Sequence, residues 1–316
     1  MKQQTVRSLV SCAGIGVHSG KSIKIEIVPA PANTGIVFQR ADLSGENTKI
    51  PATWDSVTET RMCTKIDNGL GASVSTIEHL MAALFACAVD NCIVRVYGEE
   101  VPIMDGSAAP FIFLMECAGY AVQNAPRQFI KIREEVTVSL DKDRWVTLSP
   151  TDEACLTIDF KFDFAGRNNF DLQSAVFSGN SEQFRSAFSF ARTFGFVSDL
   201  EKLQAMGVAK GASLDNSIGL DGERVLAKNG LRYHIEFVRH KILDCAGDLY
   251  TAGLPLFGKV TAYNGGHHLN NLALRALFEN ESAYEIVTHA TGTAGFASLR
   301  SLAGSSEAAL AHMNAA

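Results

Sequence analysis

Apolar residues recur at every second place in two stretches of the first hundred residues, SIKIEIVPA from Ser22 to Ala30 and NCIVRVYG from Asn91 to Gly98. That period predicts strands with one buried face. Between them STIEHLMAALFACAV has a helical pattern, and after the second strand FIFLMECAGY has another. The second half resumes strands with FIKIREEVTVSL and WVTLSP and carries them to about Phe164. It then predicts helices at SEQFRSAFSFART and VRHKILDCAGDLY, a strand at GKVTAY and a last helix at LNNLALRALF. Strands and helices mix without regular β-α alternation, which predicts an α+β fold rather than a doubly wound sheet. Asn and Pro in QNAPR, Gln123 to Arg127, break the pattern. A chain of 316 residues suits two domains, and the break places their boundary, giving residues 1–126 and 127–316. The second half repeats the element order of the first.

Composition narrows the function classes. With 47% hydrophobic and 20% charged residues the chain reads as a globular protein, and its formal net charge of −6 argues against broad binding of a phosphate backbone. No nucleic-acid partner is expected. No apolar run suits a signal peptide or approaches the roughly twenty residues of a membrane span, so a cytoplasmic protein is predicted. Seven cysteines, with no C-x-x-C pair, suggest neither a disulfide framework nor a cysteine zinc knuckle.

Titratable residues then complicate one helix. In FVRHKILDCAGDLY the apolar residues Phe237, Val238, Ile242, Leu243, Ala246 and Leu249 recur at intervals of three and four. His240, Asp244 and Asp248 share one stripe of the same helix. A His and an Asp at i and i+4 can converge on one metal ion, or can form a plain buried pair. Glu78 and His79 stand together near a helix start in STIEHLMAAL, where Ser75 and Glu78 also have the spacing of a capping box. In AYNGGHHLNN paired glycines bring a loop to His267 and His268 just before a helix.

The strings STIEHLMAAL, VPIMDGSAAPF, ARTFGF, GASLDNSIGLD, EFVRHKILDCAGDL and TAYNGGHHLNNLALRAL, with APANTGIVFQRADL near the start, closely resemble the UDP-3-O-acyl-N-acetylglucosamine deacetylases of bacterial lipid A biosynthesis. The resemblance runs from about residue 3 to Thr288, with the motifs in family order. It implies two similar α+β domains, each a sheet packed on helices like the second domain of ribosomal protein S5, with the active site between them. It also implies a zinc-dependent amidohydrolase of a Gram-negative bacterium, removing acetate from a UDP-linked, 3-O-acylated amino sugar. The implied zinc ligands are His79, His240 and Asp244, with water in the fourth position. Glu78 would be the general base. His267, kept protonated by Asp248, would stabilise the oxyanion and protonate the leaving amine. Thr193 would donate to the tetrahedral oxyanion; a helix-end cap is its other reading.

For substrate binding, the resemblance implies that Lys241 faces the polar part of the substrate. Phe194, Phe196, Leu200 and Ala209 would line an acyl passage, although core packing explains the same residues. Met62 would stand at the mouth of that passage and Cys63 beside the metal site. Phe164 is expected to stack on uracil and Arg144 to meet the diphosphate. The chain departs from the family pattern with His234 and Ile235 in LRYHIEF, Gly219 in the passage, and Asn264 before the Gly-His loop. These departures touch acyl-length preference and the diphosphate contact.

Two rival readings remain at this level. A zinc peptidase would use similar ligands, but the H-E-x-x-H helix is absent. Two RNA-binding modules would fit the S5-like halves, against the acidic charge balance. A monomer is expected, and the small, apolar end AALAHMNAA suggests a handle for a regulatory protease.

Overall fold

The computed structural model of the chain describes residues 1–164, 170–179 and 181–288. Six α-helices occur among them: α1 Glu78–Ala86, α2 Ala109–Ala118, α3 Ser181–Ala187, α4 Val197–Ala205, α5 Glu236–Leu249 and α6 His267–Glu279. The fold is α+β, with several sheets packed against these helices.

The alternating stretches form the strands they predict. Ser22–Pro29 and Cys92–Tyr97 are central in a five-stranded sheet flanked by Val10–Ile15 on one side and by Ile36–Arg40 and Lys49–Pro51 on the other. Ile23, Ile25, Ile27, Phe38, Val94 and Val96 are buried. The seven-stranded second sheet is built around Leu256–Tyr263, which pairs in parallel with Leu156–Phe162 and Gln128–Ile132 and antiparallel with Arg144–Ser149. A β-α-β unit, Phe194–Phe196, α4 and Ile218–Asp221, is extended by Arg224–Leu226 into a small third sheet.

Helices α1 and α5 pack on each other where the two halves meet. All nine residues of α1 are buried, and so are most of those in α5, because each helix is covered on more than one side. Leu80, Leu84, Ile242 and Leu243 are each fully buried and contribute roughly 2 kcal/mol apiece by leaving water. The helices approach closely at Gly247, where an added Cβ would overlap the carbonyl oxygen of Glu78.

Several boundaries differ from the sequence expectation. Gln123 to Arg127 is not a break: Tyr120–Pro126 is a strand paired with Lys2–Val6, and its terminal proline opposes Lys2 at the end of the ladder. Every ladder among the described residues joins strands on the same side of Arg127. The helix expected over SEQFRSAFSFART stops at Ala187, after which Phe188 and Ser189 both donate to the Phe184 carbonyl and turn the chain. His267 and His268 open α6 rather than preceding it.

Candidate metal centre

The start of α1 and the stripe of α5 converge. His79, His240 and Asp244 are all buried, and one ligand atom from each lies within 4.8 Å of the others. Asp244 Oδ1 is 3.5 Å from His79 Nε2 and 3.3 Å from His240 Nε2. The two imidazoles meet edge to face at 4.9 Å. His240 Nδ1 donates to the Ala191 carbonyl at 3.0 Å, leaving a lone pair on Nε2 facing the cluster. Burial pulls the His240 pKa down to about 4, so the ring is neutral near pH 7.

These residues fit a divalent cation. Asp244 Oδ1 and His79 Nδ1 are buried without a hydrogen-bond partner among the described residues, a costly arrangement for polar atoms that have nothing to bind. Burial opposes ionisation of Asp244, but His240 and Lys241 outweigh it and hold the carboxyl well below the usual range. Two imidazoles and one carboxylate are the donor set of a three-ligand catalytic zinc site, which keeps a position open.

Two further groups flank the cluster. Glu78 is not a helix cap: Ser75 lies in an isolated bridge with Glu100, and the helix is preceded by Ile77 with no side-chain cap. Its Oε2 instead accepts the Thr64 N–H at 3.0 Å, and burial raises its pKa. His267 Nε2 lies 3.9 Å from Glu78 Oε1, while its Nδ1 is 2.8 Å from Asp248 Oδ2. Burial alone would lower the His267 pKa, but Asp248 and Glu78 override it and push it up to about 9. Asp248 is itself held by Thr64 Oγ1 at 2.5 Å and Asn270 Nδ2 at 2.8 Å.

The cluster ends a cavity of about 420 Å³. Thr193, Lys241, Met62, Phe194, Phe196, Leu200 and Ala209 all line it, as does Gly219. Thr193 is not at a helix end: it follows the turn after α3, its N–H donating to Gly106 and its carbonyl accepting from Ile218. Lys241 Nζ is 3.0 Å from Asp244 Oδ2, so its charge is directed at a cluster residue.

Cys63, next to the Thr64 that holds Glu78, is 6% exposed and stands beside Glu78 without lining the cavity; burial, with the Glu78 carboxylate adding to it, pushes its thiol up to about 12. Two expected contacts lie elsewhere. Phe164 is 3% exposed and packs edge-on against Phe162 and Phe237, which leaves no ring face open to a base. Arg144 sits on an exposed hairpin, paired with Asp141 at 2.6 Å, outside the cavity lining. Asn264 adopts a positive φ of 46° and its Oδ1 accepts the Asp163 N–H. Thr64, Asn270, Glu100 and Gly247 were not singled out by sequence reasoning. Of these only Asn270 carried a signal, three residues after His267 and so on the same helix face.

The family model for UDP-3-O-acyl N-acetylglycosamine deacetylase matches residues 3–279. Proteins named UDP-3-O-acyl-N-acetylglucosamine deacetylase are similar to this chain. That of Shewanella sp. strain W3-18-1 is 46% identical over 290 residues, covering 90% of this chain and 92% of that protein. That of Pseudoalteromonas atlantica strain T6c is 45% identical over 290 residues, covering 92% and 94%.

Proposed function

The chain belongs to the UDP-3-O-acyl N-acetylglycosamine deacetylase family, and from that premise we propose that it hydrolyses the N-acetyl group of UDP-3-O-(3-hydroxyacyl)-N-acetylglucosamine in lipid A biosynthesis. The observation that carries the proposal is the buried His79, His240 and Asp244 cluster, flanked by one carboxylate and one raised-pKa histidine and opening on a largely apolar cavity.

His79, His240 and Asp244 would hold a zinc ion. When bound, the ion would polarise the amide carbonyl and make water a stronger nucleophile near neutral pH. The remaining chemistry belongs to the protein. With Oε2 held by the Thr64 N–H, Glu78 turns Oε1 toward His267 and the site, where it can take a proton from the attacking water. His267, protonated through Asp248, offers its Nε2–H to the developing oxyanion and then to the departing nitrogen. The Thr193 hydroxyl is assigned as a second oxyanion donor. Lys241 orients Asp244 and presents charge to the polar end of the substrate.

Phe194, Phe196, Leu200, Ala209 and Met62 would enclose the acyl chain. Arg144 and Phe164 are not assigned uridine or diphosphate roles here, because one is exposed on a hairpin and the other is buried. Division into domains 1–126 and 127–316 is part of the proposal, as is a monomeric, cytoplasmic enzyme of a Gram-negative bacterium. No helix among the described residues is long and apolar enough to cross a membrane. The proposed protease handle AALAHMNAA lies outside the described residues.

The test is acetate release from that substrate by purified protein, before and after chelation and with zinc restored. Release that stops and returns with the metal supports the proposal. No release by folded, zinc-loaded protein across several acyl lengths overturns it.

A further inference from the structure

Glu100 is 2% exposed and takes no part in the chemistry described above. Its Oε1 accepts the His18 N–H at 2.8 Å and the Thr76 hydroxyl at 3.1 Å, and its Oε2 accepts the Ser19 N–H at 2.9 Å. Two successive backbone N–H groups are thus wrapped onto one buried carboxylate, an arrangement that a charged acceptor stabilises more than a neutral one. Gly16 lies directly against this carboxylate, where a Cβ would overlap Glu100 Oε2 and Ser19 Oγ unless those side chains moved.

The loop so fixed grips the other half of the chain. His18 O accepts the Lys210 N–H at 3.2 Å, Val17 O accepts the Gly211 N–H at 3.0 Å, and His18 Nδ1 accepts the Ala209 N–H at 3.4 Å. At Gly211 a Cβ would overlap the Gly16 carbonyl, so the two backbones touch directly. Ala209 is held at a φ of 56°, which a non-glycine residue adopts only when its surroundings enforce it. Val17, His18, Ala209 and Ala212 all line the cavity. The adjoining helix α4 has no buried residue, so this wall has little apolar burial of its own to hold it in place.

We propose that Glu100 is a positioning residue for acyl-chain recognition: it fixes the 16–20 loop, which latches the 209–211 segment as one wall of the passage. The proposal rests on reading the cavity as the acyl passage. Glu100 then governs how tightly a long chain is gripped and leaves the hydrolytic step alone.

The test uses the full chain with zinc, as wild type, Glu100→Gln and Thr76→Val. Glutamine keeps the size of the side chain but can no longer accept from both loop N–H groups. Amide exchange in Glu100→Gln should quicken about tenfold at both 17–19 and 209–211, with the α5 amides unchanged. KM for the long-chain substrate should rise about tenfold with kcat within about twofold, while KM for a substrate with a shortened 3-O-acyl group stays within about twofold. Unchanged protection at 209–211, or an equal rise in KM for both substrates, overturns the latch. Thr76→Val removes one bond and leaves the charge, so it should show the same pattern more weakly; if Glu100→Gln does not fold, this variant decides, and wild-type exchange at both segments overturns the proposal. If wild type turns over no substrate, the deacetylase reading fails and the exchange measurement still decides the latch.

Discussion

His267 and Asp248 act as one unit, because the 2.8 Å contact between Nδ1 and Oδ2 leaves the other ring nitrogen as an N–H facing Glu78 and the cavity. The carboxylate on one side of the ring determines the charge on the other.

Asp248→Asn should therefore uncouple them. With the main charge that raises the His267 pKa to about 9 removed, the alkaline limb of the pH profile should move toward neutrality, and turnover at pH 8 should fall by roughly tenfold or more. The kcat/KM profile of wild type and variant measures this. An alkaline limb that stays near pH 9 would return Asp248 to a purely structural role.

The same shift has a stability consequence in metal-free protein. The folded pKa lies above the unfolded value of about 6.5, so the stabilisation is fully present below that pH and is lost as pH rises through about 9. His267→Gln should cost on the order of 2 kcal/mol at pH 6 and much less at pH 10. Urea unfolding of both proteins across that range is the measurement, and a gap that widens with pH contradicts it.

Metal affinity and turnover should separate by residue. Asp244→Ala and His79→Ala should weaken zinc binding at least about hundredfold. Glu78→Ala should keep zinc and lose about a hundredfold or more in kcat. Metal content after dialysis against a weak chelator, read beside acetate release, distinguishes the two classes; full activity in Glu78→Ala would remove it as the base.

Gly247→Ala places a methyl group where the Glu78 carbonyl now sits. The helices must shift apart, at a cost of about 1–3 kcal/mol, and His79 must move away from His240 and Asp244. Lower thermal stability together with weaker zinc binding is expected. Loss of stability with unchanged zinc affinity would mean that the cluster tolerates the shift.

Much of this site was legible in the chain because helical periodicity is local. His240, Asp244 and Asp248 fall in line four residues apart whatever surrounds them. The helix with Glu78 and His79 stands as a candidate source of a third ligand, and what the resemblance added was the assignment of His79, since nothing local ties it to α5. Glu78 shows the limit of local rules: its capping-box spacing is real, but Ser75 is drawn into a bridge with Glu100, and a tertiary contact to Thr64 takes the carboxylate. Phe164 and Arg144 were misplaced because a strand's period does not tell which end or face meets a cavity. Glu100 and Gly247 left no pattern; paired glutamates in GEEVP read as exposed, and a helix glycine reads as a weakness.

The three cluster residues come from helices in different halves of the chain, one before residue 126 and two after it. A growing polypeptide therefore owns no complete site until Asp244 has been made, by which time the whole first half is already out. A half-finished chain cannot capture the ion on these three groups and be locked in a wrong shape by it. Tight metal retention then certifies that α1 and α5 have docked, so the proportion of metal held by a purified sample doubles as an assay of correct assembly.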